Sequence, residues 1–145
     1  MPKHKDYMRR ALALGAQQSG RTAENPAVGC VLVKDGEIIA EGATQDGGRP
    51  HAETVALQVA GRQAQGATAY VTLEPCSHYG QTAPCANALI EAGIASCFVA
   101  VVDPDPRVHW RGAALLQEAG IDVWVGLCED EAKAAHAAFF ARVRT

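Results

Sequence analysis

Long apolar runs are missing from this chain. No stretch approaches the roughly 18 residues needed to cross a bilayer, and ALALGA, after Arg9 and Arg10, is shorter than the apolar region of a secretory signal. Met8, Leu12 and Gly15/Ala16 recur instead at helical spacing, which predicts a first amphipathic helix. Excess positive charge is missing too: 16 acidic and 13 basic residues leave a formal charge of −3. The longest basic cluster is the scattered set Lys3, Lys5, Arg9 and Arg10. Nucleic-acid affinity draws on clustered cations that displace counterions from phosphates, so neither a nucleic-acid partner nor a membrane is expected. An even cysteine complement is also absent. Five cysteines (30, 76, 85, 97 and 128) without a secretory signal argue against a disulfide framework and for reduced thiols in the cytoplasm. Internal repeats and low-complexity tracts are absent, and so is a glycine-rich dinucleotide fingerprint.

What is present reads as one domain over residues 1–145. Residues 5–18 are predicted helical. VGCVLVKDGEIIAEG (28–42) reads as two β runs turning at Lys34-Asp35-Gly36, where Asp-Gly is a hairpin signal. HAETVALQVAG (51–61) is a predicted helix stopped by Gly61, ATAYVTL (67–73) a strand, and CANALIEAG (85–93) a helix stopped by Gly93. The continuous apolar run CFVAVVD (97–103) predicts a buried central strand. A helix over 111–119, a strand over 121–125 and a last amphipathic helix over 129–144 complete the series. Alternation of strand and helix from 68 to 125 requires parallel neighbours, and the hairpin adds an antiparallel edge. The expected architecture is α/β: a mixed five-stranded sheet with helices on both faces.

Chemistry concentrates in two short stretches, RPHAE (49–53) and TLEPCSHYGQTAPC (72–85). His51, Cys76 and Cys85 offer one imidazole and two thiolates, each directly behind a proline. That donor set suits zinc, and three protein ligands leave the fourth tetrahedral position for water or hydroxide, one ion per chain. Pro50 and Pro84 are expected at the first positions of two helices. His51 and Cys85 would then lie in first turns, where the dipole favours a thiolate. Glu53, two residues after His51, is expected beside the metal-bound water as general base and acid, without binding the metal itself. Cys30, Cys97 and Cys128, in or next to apolar strands, read as packing residues, and His4, His109 and His136 as structural histidines.

The pattern His51-x-Glu53 followed by Pro75-Cys76 matches the signature of zinc deaminases that act on bases, except that eight residues, not two, precede the second cysteine. With the surrounding NPAVGCVLVKDG, GATAYVTLEPCSHYGQTAPC, ALIEAGI and DPDPRV, the sequence resembles the deaminase domains of bifunctional riboflavin-biosynthesis proteins, the diaminohydroxyphosphoribosylaminopyrimidine deaminases. The likeness runs from about residue 5 to 143. It implies a three-layer α/β/α cytidine deaminase-like sandwich and hydrolytic loss of the 2-amino group from 2,5-diamino-6-(5-phosphoribosylamino)pyrimidin-4(3H)-one, a step of riboflavin biosynthesis. It implies zinc held by His51, Cys76 and Cys85, with Glu53 moving protons. Asn25, His78 and Asp103 match the family's substrate-contacting positions. It further implies self-association and a reductase, fused or separate; the chain itself carries no reductase domain.

The chain departs from the family pattern at Glu24, Thr44, Gln81 and Asp105. Thr44 stands where a histidine is common, and Gln81 where a lysine or arginine is; both are taken as substrate-side positions. Those departures keep a second reading open, a zinc deaminase of guanine, cytidine or a tRNA base. A third is a zinc-stabilised or redox-active binding module without catalysis.

Overall fold

A computed structural model describes residues 3–76, 85–104 and 109–143. Among these described residues, five strands and six helices follow one another: α1 (His4–Gln17), β1 (Gly29–Lys34), β2 (Glu37–Ala43), α2 (Ala52–Ala60), β3 (Thr68–Val71), α3 (Cys85–Glu91), β4 (Ser96–Val99), α4 (Arg111–Glu118), β5 (Asp122–Val125), α5 (Glu129–Ala135) and α6 (Ala137–Val143). Short 3-10 turns cover Asp46–Gly48 and Gly61–Ala64.

The strands form one sheet in the order β2-β1-β3-β4-β5. β1 is antiparallel to both β2 and β3, while β3, β4 and β5 run parallel. The mixed five-stranded sheet expected from the sequence is therefore present. Its hairpin closes because Asp35 and Gly36 both take positive φ, 53° and 78°. That two-residue turn matches the twist of the strands it joins.

Two glycines show how helices cover both faces. A Cβ on Gly29 would lie 1.7 Å from the Ala11 carbonyl oxygen of α1, and a Cβ on Gly42 would lie 2.4 Å from the Ala52 carbonyl oxygen of α2. Gly29 pairs with Ala43 and Cys30 with Gly42, so the two glycines point to opposite sides of the sheet. Each lets a helix backbone approach that a side chain would hold off. Consecutive residues of β1 (Cys30 to Val33) and β3 (Ala69 to Val71) are all buried, as strands covered on both faces must be. On the α1 side, Tyr70, Phe98 and Trp124 sit in register on neighbouring strands, with stacked ring centroids 5.0 and 4.8 Å apart.

Two predicted elements come out differently. The strand drawn over 97–103 pairs only over Ser96–Val99. The buried Ala100 and Val101 still use their backbone, since Ala100 N–H donates to Val71 O and Val101 O accepts from Glu74 N–H. Apolar character marks burial there, not strand pairing. The single helix drawn over 129–144 is divided at His136, yet backbone bonds from His136 to Ala132 and from Phe140 to His136 continue across it. There the buried imidazole turns inward, its Nε2 3.1 Å from Thr72 Oγ1.

No helix among the described residues is long and apolar enough to cross a membrane. The basic N-terminal cluster is partly neutralised: Arg10 grips Glu41 through two bonds of 2.6 and 2.9 Å, and Arg9 pairs with Glu131.

Candidate metal and active site

The sheet brings its chemistry to one end. β3 and the extended residues after it deliver Cys76, α2 begins next to His51, and α3 begins at Cys85. Donor atoms of His51, Cys76 and Cys85 all lie within 4.8 Å of one another. His51 Nδ1 is 3.3 Å from Cys85 Sγ, and the Cys85 N–H donates to Cys76 Sγ over 3.2 Å. The Cys76 carbonyl accepts the Ala86 N–H at 3.0 Å, so Cys76 caps the first turn of α3 with both its sulfur and its oxygen.

His51 departs from expectation by one step. It is the residue before α2, extended at φ −72° and ψ 160°, and contributes only its carbonyl to the first turn through Val55 N–H. Pro50 therefore precedes the helix instead of opening it. An extended residue at this point sends the imidazole off the helix end toward Cys85, where a first-turn residue would lie against the helix wall. Cys85 is in the first described turn of α3, where it was expected; Pro84, expected to open that helix, lies outside the described residues.

The electrostatics follow from crowding. The Cys76 thiol is pulled down to about 4, first by the bond from the Cys85 thiol and then by His51 and the Cys85 amide. Cys85 is pushed far up because it shares its proton with Cys76 and is buried. His51 is raised, chiefly by its bond to Cys76. Glu53, in the first turn of α2 and only 4% exposed, is pushed up to about 7, first by burial and then by the Cys76 thiolate. A single negative sulfur surrounded by donors is an anionic pocket that a divalent ion can enter. Two sulfurs about 2.3 Å from a tetrahedral ion lie roughly 3.8 Å apart, so a cluster within 4.8 Å fits zinc with little movement.

A family model of the cytidine and deoxycytidylate deaminase zinc-binding region matches residues 1–101. The chain belongs to this zinc-binding deaminase family. It is 55% identical over 139 residues to the riboflavin biosynthesis protein RibD of Escherichia coli (strain K12), an alignment covering 96% of this chain and 38% of that protein. The diaminohydroxyphosphoribosylamino-pyrimidine deaminase of Buchnera aphidicola subsp. Acyrthosiphon pisum is 47% identical over 139 residues, covering 96% of this chain and 95% of the relative. Among solved structures, Acinetobacter baumannii RibD (form 2) superposes with a TM-score of 0.93 at 47% identity, over 98% of this chain and 40% of that one. The chain thus spans about two fifths of the RibD proteins it resembles, and nearly all of the shorter deaminase.

Around the His51, Cys76 and Cys85 cluster the remaining expected site residues divide. Asn25 is half-buried, and its Nδ2 donates to Gly48 O at 2.9 Å. A Cβ on Gly48 would come within 2.5 Å of that nitrogen, so the glycine is what lets Asn25 dock beside the segment leading to His51. Thr44 is only 1% exposed. Its hydroxyl accepts the Val28 N–H at 3.0 Å and its carbonyl accepts from Gln18 Nε2 at 3.0 Å. Thr44 is therefore a brace of the segment leading to His51. Asp103 is buried at the end of the run after β4; its N–H donates to Glu74 and its carbonyl lies 3.0 Å from His109 Nδ1. His78 and Gln81 lie outside the described residues.

One carboxylate of this deaminase-family chain was not among the expected residues. Glu74, 4% exposed, accepts backbone N–H groups from Asp103 (3.3 Å), Trp110 (3.1 Å) and Ala113 (3.0 Å). Burial pushes its carboxyl up while the three amides pull against that rise. The sequence carried a signal for it, a charged residue inside the apolar run YVTLEPC. Such a residue must find partners or pay heavily for desolvation.

Proposed function

We propose that this chain catalyses hydrolytic deamination of 2,5-diamino-6-(5-phosphoribosylamino)pyrimidin-4(3H)-one, releasing ammonia and the 5-aminouracil ribotide in riboflavin biosynthesis. The observation that carries this reading is the convergence of His51, Cys76 and Cys85 with the sealed carboxyl of Glu53 beside them. End-to-end likeness to a deaminase of that name supports the substrate assignment.

His51, Cys76 and Cys85 would hold one zinc ion per chain. When bound, such an ion lowers the pKa of a coordinated water from about 15.7 toward 7. Glu53 moves the protons: its carboxylate takes one from the attacking water and gives it to ring nitrogen N1 as the C–O bond forms at C2, then carries the remaining hydroxyl proton to the departing 2-amino nitrogen. C–N cleavage then leaves a ring carbonyl and ammonia. Its burial suits it to both halves of that exchange. Asn25 orients the base. With Nδ2 engaged by Gly48 O, it offers Oδ1 to an N–H of the pyrimidine edge. Asp103, whose N–H is held by Glu74 two residues before Cys76, is the second substrate contact. A reductase acting on the product, fused or separate, is the proposed partner. A reducing cytoplasm suits the five unpaired cysteines.

The deciding measurement is ammonia release from the diaminopyrimidinone ribotide by zinc-loaded protein, with and without a chelator. We expect turnover that the chelator abolishes and added zinc restores. Brisk deamination of guanine or cytidine with none of the ribotide would replace this substrate with another base.

A further inference from the structure

Glu74 lies two residues before the ligand Cys76 and reaches across to a separate stretch of chain. Its own N–H donates to Val101 O at 3.0 Å. One carboxylate oxygen takes the amides of Asp103 and Trp110, and the other takes Ala113. Ala113 is in the first turn of α4, and Trp110, in the left-handed conformation at φ 64°, is the residue before that helix. Glu74 therefore caps α4 from a different element, a task that neighbouring side chains do in most helices. The approach is close: a Cβ on Gly112 would lie 1.9 Å from Pro75 O and 3.3 Å from Glu74 Cγ. Backbone on both sides of the contact is committed to it.

We propose that Glu74 is a positioning residue that holds Asp103 in register with the metal-ligand strand through the three amides its carboxylate gathers. The proposal rests on the reading above that Asp103 faces the substrate. A carboxylate is needed because three donors converge on it, and charged acceptors bind amides about twice as strongly as neutral ones. A glutamine in its place turns an N–H₂ group toward at least one of those N–H donors. Cys76 is anchored on its other side by the Cys85 and Ala86 amides, independently of Glu74. Loss of the carboxylate should consequently fall on substrate binding and leave the metal in place.

The test uses zinc-loaded Glu74→Gln, with Glu74→Asp as a milder variant should the first fold poorly. Amide hydrogen exchange at Asp103, Trp110 and Ala113 is measured together with zinc content, KM and kcat for ammonia release. Expected are exchange at least about tenfold faster at those amides, unchanged zinc content, and KM raised about tenfold with kcat within about threefold. Glu74→Asp should fall between the variant and the parent. Faster exchange with an unmoved KM would reduce Glu74 to a structural cap and overturn the proposal, and unchanged exchange would overturn it at its root. If the parent deaminates another base in place of the ribotide, the substrate assignment fails alone, and KM for that base decides the role of Glu74. A parent inert on every base sinks both.

Discussion

Glu53 and Glu74 are equally sealed, 4% exposed each, yet their surroundings give them opposite tasks. Glu74 receives three amides from other segments, which favour the carboxylate and oppose the rise that burial imposes. Glu53 faces a thiolate and an imidazole, and burial lifts it to about 7, where a carboxyl can hold or release a proton near neutrality. Glu53→Gln keeps the shape and removes the titrating group. We expect zinc content and melting temperature close to the parent's, with kcat lower by about 10²-fold or more. Activity within threefold of the parent would remove Glu53 from the chemistry. Of the two carboxylates only Glu53 was legible beforehand, because its spacing from His51 belongs to a recognisable motif. The partners of Glu74 sit 29 to 39 residues away, a relation that no local pattern carries. The bonds of Thr44 were hidden for a related reason: residue type and position invite a substrate contact, whereas its hydrogen bonds with Val28 and Gln18 are a product of tertiary packing.

At the level of elements, Gly29 and Gly42 decide how closely α1 and α2 lie on the sheet. Gly29→Ala places a methyl group 1.7 Å from the Ala11 carbonyl oxygen, and that backbone atom cannot swing aside. Overpacking of this kind costs about 1–3 kcal/mol, and more where backbone must shift. The expected result is a urea midpoint lowered by about that free energy; an unchanged midpoint would mean that α1 does not rest on β1 as described. The existence and type of most elements could be read from local signals. Asp35-Gly36 demanded a tight turn, Gly61 and Gly93 ended helices at positive φ, and β-branched runs paired as strands. What local signals could not supply was extent. Ala100 and Val101 look like more strand, but their buried backbone instead bonds the ends of neighbouring segments. His51 looks like a first-turn residue until its imidazole is required to reach a sulfur on another helix.

Across the whole molecule, stability at low pH depends on a group far from the ligand set in sequence. His136, 3% exposed between α5 and α6, lies against Thr72 Oγ1, which also accepts the Gly29 N–H at 3.1 Å. The His136 ring and the Gly29 amide meet on the same hydroxyl, so α6, the β3 exit and the start of β1 share one network. Burial drives the imidazole from 6.5 down to about 4, against a smaller opposing effect of Thr72. Because the folded state resists the proton that the unfolded chain accepts, His136 costs nothing above pH 6.5, and stability falls as pH drops from 6.5 toward about 4. The slope approaches 1.4 kcal/mol per pH unit, about 3 kcal/mol in all across that window. Acid also protonates the His51, Cys76 and Cys85 cluster, but that loss is common to any variant that leaves those three residues alone. His136→Gln retains a hydrogen-bonding side chain without the titration. Urea unfolding of parent and variant from pH 7 to 4 should therefore show the variant weaker at neutral pH, where a bond is altered, but losing stability less steeply, so that the two curves converge or cross. Curves that stay parallel to pH 4 would mean that the imidazole is already charged, or exposed to water, in the folded protein.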